Sequence, residues 1–219
     1  MAKIPIGIYM APKQHECVPN SPLTTTIFIT SPDQYEPFST ITLNSLRHAL
    51  ADSSVSLSQP DIDHLMKAYD SLSTFPDVPP ALKELSSAPG ITAVIFSNGT
   101  DKMVTNSVTK SPDLGPHSSV FKDMITVEEV KKYKPHPEGY LHLAAKVGKD
   151  KSDLGSMWLV SGNPFDIVGS RAMGMQAAWV DRAGNGWTDG LVQGANGRPT
   201  VIVKGLGEVV EAVKKHASQ

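Results

Sequence analysis

A chain of 219 residues is long enough for one domain with a sizeable buried core, or for a core plus a small accessory lobe, but too short for two full-sized domains. With 40% hydrophobic and 19% charged residues it lies outside the disordered and fibrous compositions. The formal net charge of -2, from 20 basic against 22 acidic residues, gives no electrostatic footprint for nucleic acid or an anionic membrane. Cys17 is the single cysteine, so an intrachain disulfide and a thiol-held zinc are excluded and a reducing, cytoplasmic setting is expected. The opening MAKIPIGIYM has no A-x-A-like cleavage site, and no apolar run approaches the roughly 20 residues of a membrane span.

Residues 1–34 carry Pro5, Pro12, Pro19, Pro22 and Pro32 among many Ser and Thr, which predicts an irregular segment in which only Thr24–Thr30, TTTIFIT, is strand-like. From about Glu36, Phe38, Ile41, Leu43, Leu46 and Leu50 recur at helical spacing. A second helix follows in SLSQPDIDHLMKAYDSL, where Ser58 can cap and Pro60 can open it. This pair spans residues 35–74. Over residues 75–219 helices and strands alternate, with strands predicted at Ile91–Phe96, Met124–Thr126, Met157–Val160, Ala177–Val180 and Thr200–Val203. Such alternation predicts an α/β fold, a parallel sheet covered on both faces, with its site in the crevice at the carboxyl ends of the strands.

Three strand ends carry chemistry. Ser97-Asn98-Gly99-Thr100 offers hydroxyl, amide and backbone donors to an anion, or is simply a strand-to-helix turn with its N-cap. In Lys131-Lys132-Tyr133-Lys134-Pro135-His136-Pro137 the first two lysines read as solvated surface. Pro135 forces Lys134 toward an extended conformation beside the sheet, where its ammonium could keep a carboxylate ionised. Trp158-Leu159-Val160-Ser161-Gly162-Asn163-Pro164-Phe165-Asp166 puts Asn163 and Asp166 three apart across a helix start. They can serve as N-cap and dipole-matching acid, each worth about 1 kcal/mol or less, or face the mouth of the sheet together.

The order of these segments, SNGT, then YKPHPEGY, then VSGNPFDIVGSRAMGMQAAWVDR, resembles motifs two, three and four of the haloacid dehalogenase (HAD) superfamily, most closely its metal-independent 2-haloacid dehalogenase branch. The resemblance covers roughly Phe75 to Lys204, and the helical pair before it is similar to the last part of that branch's cap. It implies a HAD-like Rossmannoid parallel sheet with helices on both faces and a small, incomplete helical cap. It also implies hydrolysis of the carbon–halogen bond of 2-haloacids through an aspartyl ester. Lys134 would pair with the nucleophilic aspartate, Ser97 and Asn98 would hold the substrate carboxylate, and Ser161, Asn163 and Asp166 would position the aspartate and the hydrolytic water. Tyr140 matches a tyrosine that follows the Lys-Pro motif. No cofactor or metal is implied, since phosphatase members present acidic residues at the place of Asn163 to bind magnesium. The implied partner is a small carboxylate, and many members form homodimers through their caps.

The family's first motif, an apolar strand ending in Asp-x-x-Gly-Thr, has no counterpart here: no Asp precedes Asp33, whose continuation Gln34-Tyr35-Glu36-Pro37 does not match it. The sheet is therefore expected to lack a central strand. The cap arginine that receives halide would fall in the same missing stretch, and Arg47 reads as surface. Two alternatives follow, an inactive relative that binds a small carboxylate or a protein partner through Ser97, Lys134 and Asn163, and a HAD phosphatase. His48, His64 and His142 read as partly exposed helix residues, Met173, Met175 and Trp179 as core, and Trp187 as packed over the sheet edge.

Overall fold

A computed structural model describes residues 4–8, 35–68 and 73–218. Strands β1 (Ile4–Ile8), β2 (Ile91–Ser97), β3 (Phe121–Thr126), β4 (Trp158–Ser161), β5 (Gln176–Val180) and β6 (Val201–Val203) form one six-stranded sheet in the order β3-β2-β1-β4-β5-β6. Every neighbouring pair is parallel. The chain therefore switches direction across the sheet beside β1, where an open α/β sheet leaves a crevice at its carboxyl edge.

The expected loss of the central strand is corrected, because Ile4–Ile8 fills that place between β2 and β4. Pro5 and Gly7 read as strand breakers, yet the ladder to β4 begins only at Ile6, past Pro5, so the missing N–H of Pro5 falls outside that pairing. Ile4, Ile6 and Ile8 supply the β-branched character that suits a strand. Ile8 stands in register with Ile95 on one side and Val160 on the other. The strand-like Thr24–Thr30, Cys17 and Asp33 lie outside the described residues.

Successive residues of the central strands feed two cores. Ala93, Ile95, Trp158 and Val160 pack with helices α3 (Val78–Ser87), α4 (Asp101–Thr109) and α7 (Val209–Ala217). Val94, Phe96 and Leu159 pack with α5 (Pro137–Lys146) on the opposite side. Continuous apolar strands buried on both faces are what a parallel sheet requires. Helix α6 (Pro164–Ala172) follows β4 and seats Ile167 with no exposure.

The helical pair forms α1 (Phe38–Asp52) and α2 (Gln59–Ala68), with Ser58 Oγ accepting from the Asp61 N–H at the start of α2. Each helix buries a single residue, Thr42 and Ile62, so the pair leans on the larger unit mainly through Tyr35, Phe38 and Ile41. Its return to the sheet is stapled by Asp77, which accepts two hydrogen bonds from Arg182 Nε and Nη2 at 3.0 Å each and one from the Leu206 N–H at 2.8 Å. Burial alone would raise the Asp77 carboxyl; Arg182 and the Leu206 N–H outweigh it and hold the group below its ordinary value. Arg182 also lies 4.2 Å from the centre of the Phe75 ring.

Met175 is fully buried, Met173 packs against the α5-side core, and Trp179 meets Trp187 edge to face at 5.1 Å beside the β6 edge. His48 and His64 are exposed on α1 and α2, and His142 is part-buried, 3.6 Å from Glu129. Among the described residues no helix is long and apolar enough to cross a membrane.

Candidate active site

The carboxyl ends of β2 and β4 flank β1, and the loop after β3 reaches over to them. At the end of β2, Ser97 Oγ accepts from the Gly99 N–H at 3.0 Å and Thr100 caps α4 by accepting from the Met103 N–H at 3.2 Å. The turn is thus a capped helix start next to a buried amide. The Asn98 side chain is committed to the backbone of Lys134: its Oδ1 accepts from the Lys134 N–H at 2.9 Å and its Nδ2 donates to the Lys134 C=O at 3.3 Å. That clamp fixes a residue 36 positions away in sequence.

Lys134 is fully buried. Its Nζ lies 3.2 Å from Asp166 Oδ1, donates to the Phe96 carbonyl at 3.2 Å, and sits 4.7 Å from the centre of the Phe96 ring. Burial pushes the Lys134 ammonium below its ordinary pKa, and the Asp166 carboxylate offsets part of that shift. Asp166, also fully buried, accepts from Ser161 Oγ at 2.9 Å, while Ser161 Oγ accepts from the Asn163 N–H at 3.0 Å. Asn163 occupies the N-cap position of α6, but its side chain makes no capping hydrogen bond. The amide is therefore not spent on holding the helix, unlike a conventional cap.

Tyr140 lies behind this cluster. It is fully buried, edge to face with Phe96 at 5.8 Å, and its Oη has no hydrogen-bond partner among the described residues. Burial, reinforced by Asp166, holds its phenol well above the ordinary value. A buried unpaired hydroxyl costs about 1–3 kcal/mol, a cost tolerated most readily where a water or ligand atom meets it. Gly169 on α6 makes the approach possible, since a Cβ there would come within 2.3 Å of Tyr140 Oη and 2.7 Å of Pro135 Cβ.

The structure thus joins Asn98, Lys134, Tyr140, Ser161 and Asp166 into one buried polar cluster, with Ser97 and Asn163 in the turns that border it. Arg47 is exposed on α1, as its sequence context suggests. The Phe96 carbonyl and Gly169 escaped the sequence reading: a carbonyl has no sequence signature, and a helical glycine shows its purpose only against Tyr140. A separate open cleft at the β3 edge, lined by Asp101, Thr126, Glu129, His142 and Lys146 among others, contains none of these side chains. Among the described residues no group of three or more His, Cys, Asp or Glu is placed to hold a metal ion.

The family model for haloacid dehalogenase-like hydrolases matches residues 16–174. The chain belongs to that family. It is 31% identical over 153 residues to haloacetate dehalogenase H-2 of Moraxella sp. (strain B), covering 69% of this chain and 64% of that protein. It is 30% identical over 152 residues to (S)-2-haloacid dehalogenase 4A of Burkholderia cepacia, covering 69% and 62%. The matched region therefore spans a little under two thirds of the length of these relatives. Among solved structures, a dehalogenase with an intermediate complex superposes with a TM-score of 0.74 at 26% identity, covering 88% of this chain and 79% of the other. An L-2-haloacid dehalogenase from Xanthobacter autotrophicus with chloropropionic acid covalently bound shares the fold, with a TM-score of 0.77 at 19% identity and coverage of 98% and 99%. The HAD-like sheet expected from the strand-end motifs is thus the fold of this chain, within the 2-haloacid dehalogenase branch.

Proposed function

We propose that this HAD-family chain cleaves the carbon–halogen bond of small 2-haloacids. The observation that carries the reading is the buried Lys134–Asp166–Ser161 cluster at the switch point of the sheet. An ammonium already neutralised on one side by Asp166 suits a site that must hold a second carboxylate ionised for attack. In this scheme the nucleophilic carboxylate displaces halide from C2 and inverts it. Water then attacks the ester carbonyl and restores the carboxylate, so (S)-2-chloropropionate gives (R)-lactate, halide and a proton. Ser97 Oγ and the N–H groups of the turn after β2 receive the substrate carboxylate, while Ser161 and Asn163 orient the nucleophile and the water. The engagement of Asp166 by Lys134 supports a reaction without magnesium, because this carboxylate is matched to an ammonium. Asp33, the first aspartate of the chain, is the nucleophile to test.

A second reading is favoured by one observation: β1 runs into Tyr9-Met10-Ala11-Pro12, with no carboxylate where the family's first motif has its aspartate. On that reading the pocket binds a small carboxylate without turning it over. The deciding experiment incubates the full chain with (S)-2-chloropropionate and, separately, with p-nitrophenyl phosphate, each with and without magnesium, beside Lys134→Ala. Metal-free chloride release that vanishes in the variant is expected. Magnesium-dependent phosphate release would overturn the dehalogenase reading in favour of a phosphatase. Folded chain that binds the acid without releasing chloride would establish the binding reading in its place.

A further inference from the structure

The residue next to Lys134 ties the site to the first cap helix. Tyr133 is only 6% exposed, and its Oη donates a hydrogen bond to the backbone carbonyl of Glu36, just ahead of α1. Its ring lies 5.2 Å from that of Tyr35 at an interplanar angle of 33° and 6.1 Å from that of Phe38 at 67°. Ile41, one turn into α1, packs against the same core. Consecutive Cα atoms are about 3.8 Å apart, so displacement of Tyr133 displaces the Lys134 peptide, which Asn98 grips from the other side.

The geometry points to Tyr133 as a positioning residue that couples docking of the cap entry, Tyr35 to Ile41, to the placement of the Lys134 ammonium and of the turn after β2. This inference rests on the reading of that turn as a carboxylate pocket. Three features carry it together: a buried phenol aimed across the cap–core junction, the rings of Tyr35 and Phe38 packed against it, and a direct peptide link to a lysine locked by a second element. Burial, reinforced by Tyr35, Glu128 and Glu36, holds the Tyr133 phenol far above its ordinary pKa, so it remains a donor throughout the accessible pH range. The arrangement makes cap docking a determinant of substrate affinity even though α1 lends no side chain to the polar cluster.

The test uses the full chain and two variants, Tyr133→Phe, which keeps the ring and deletes the donor, and Phe38→Leu, which perturbs the cap side alone. Amide hydrogen exchange is followed at Ile41, whose N–H donates to the Pro37 carbonyl, and at Lys134, whose N–H donates to Asn98. Affinity is measured with (R)-lactate as probe. In both variants the Ile41 and Lys134 amides should exchange faster and the Kd for (R)-lactate should rise, by about tenfold in Tyr133→Phe, the size of one lost hydrogen bond, with the amides of β2 and β4 unchanged. Faster exchange at Ile41 with Lys134 unaffected would overturn the coupling and reduce Tyr133 to a cap contact. Absence of (R)-lactate binding by the unaltered chain would overturn the carboxylate pocket instead, while the exchange rates at Lys134 still decide the coupling.

Discussion

Replacing Lys134 with Met should lower the stability of the folded chain by about 3–5 kcal/mol, because it leaves Asp166 buried without its counter-charge. Both side chains have zero exposure, so neither water nor salt can take over the missing partner. Met restores most of the buried volume, while the ammonium's contacts with the Phe96 ring and carbonyl go with the charge, so the loss reports electrostatics rather than a cavity. Ser161 Oγ remains bonded to Asp166 Oδ2 and solvates one oxygen only. Urea unfolding of Lys134→Met, Asp166→Asn and the double variant checks this. The double variant should be markedly more stable than the sum of the single losses predicts, since removing both charges removes the desolvation cost that each single change exposes. Additive losses would mean that the two groups do not act as a pair.

The second large effect is expected from Gly169→Ala. In most helix interiors this exchange is favourable by up to about 1 kcal/mol, because alanine has the higher helix propensity. Here the new methyl would sit 2.3 Å from Tyr140 Oη and 2.7 Å from Pro135 Cβ, and neither can retreat: Tyr140 is fully buried, and Pro135 is a ring fixed beside Lys134. The variant should therefore lose about 2–3 kcal/mol in thermal or urea unfolding, the usual cost of forcing a methyl into a packed core. It should also lose turnover or binding, as Pro135 drags the Lys134 peptide with it. Adding Tyr140→Phe removes the closest atom and should recover part of the loss but not all, because the contact with Pro135 persists. A neutral or stabilising Gly169→Ala would contradict the packing described.

Much of this arrangement was legible in the sequence because α/β folds concentrate chemistry at strand ends. Ser97-Asn98-Gly99-Thr100 and Ser161 to Asp166 sit where an apolar run stops, and Lys134-Pro135 in a proline-marked loop beside the sheet, so their types and order could be read without a structure. Their contacts could not. Asn98 is expected to face an anion with its side chain, and instead spends that side chain on the Lys134 backbone. Asn163 holds the N-cap position but makes no capping bond. The central strand was hidden for a different reason: Pro5 and Gly7 carry a local penalty, and a five-residue strand between β2 and β4 is stabilised by pairing that local propensity does not register. Gly169 and the Tyr133–Glu36 hydrogen bond have no local signature, because their meaning lies in residues 29 and 97 positions away.

The turn after β2, gripped to Lys134, is proposed to receive a small carboxylate. The most direct test is a titration of the isotope-labelled full chain with (R)-lactate, following the backbone amides of Asn98, Gly99 and Lys134 by NMR. Saturable shifts are expected at these three amides, lost in Lys134→Ala and unaffected by magnesium. Shifts confined to the β3-edge cleft around Asp101, Glu129 and Lys146, or none at the turn, would contradict it.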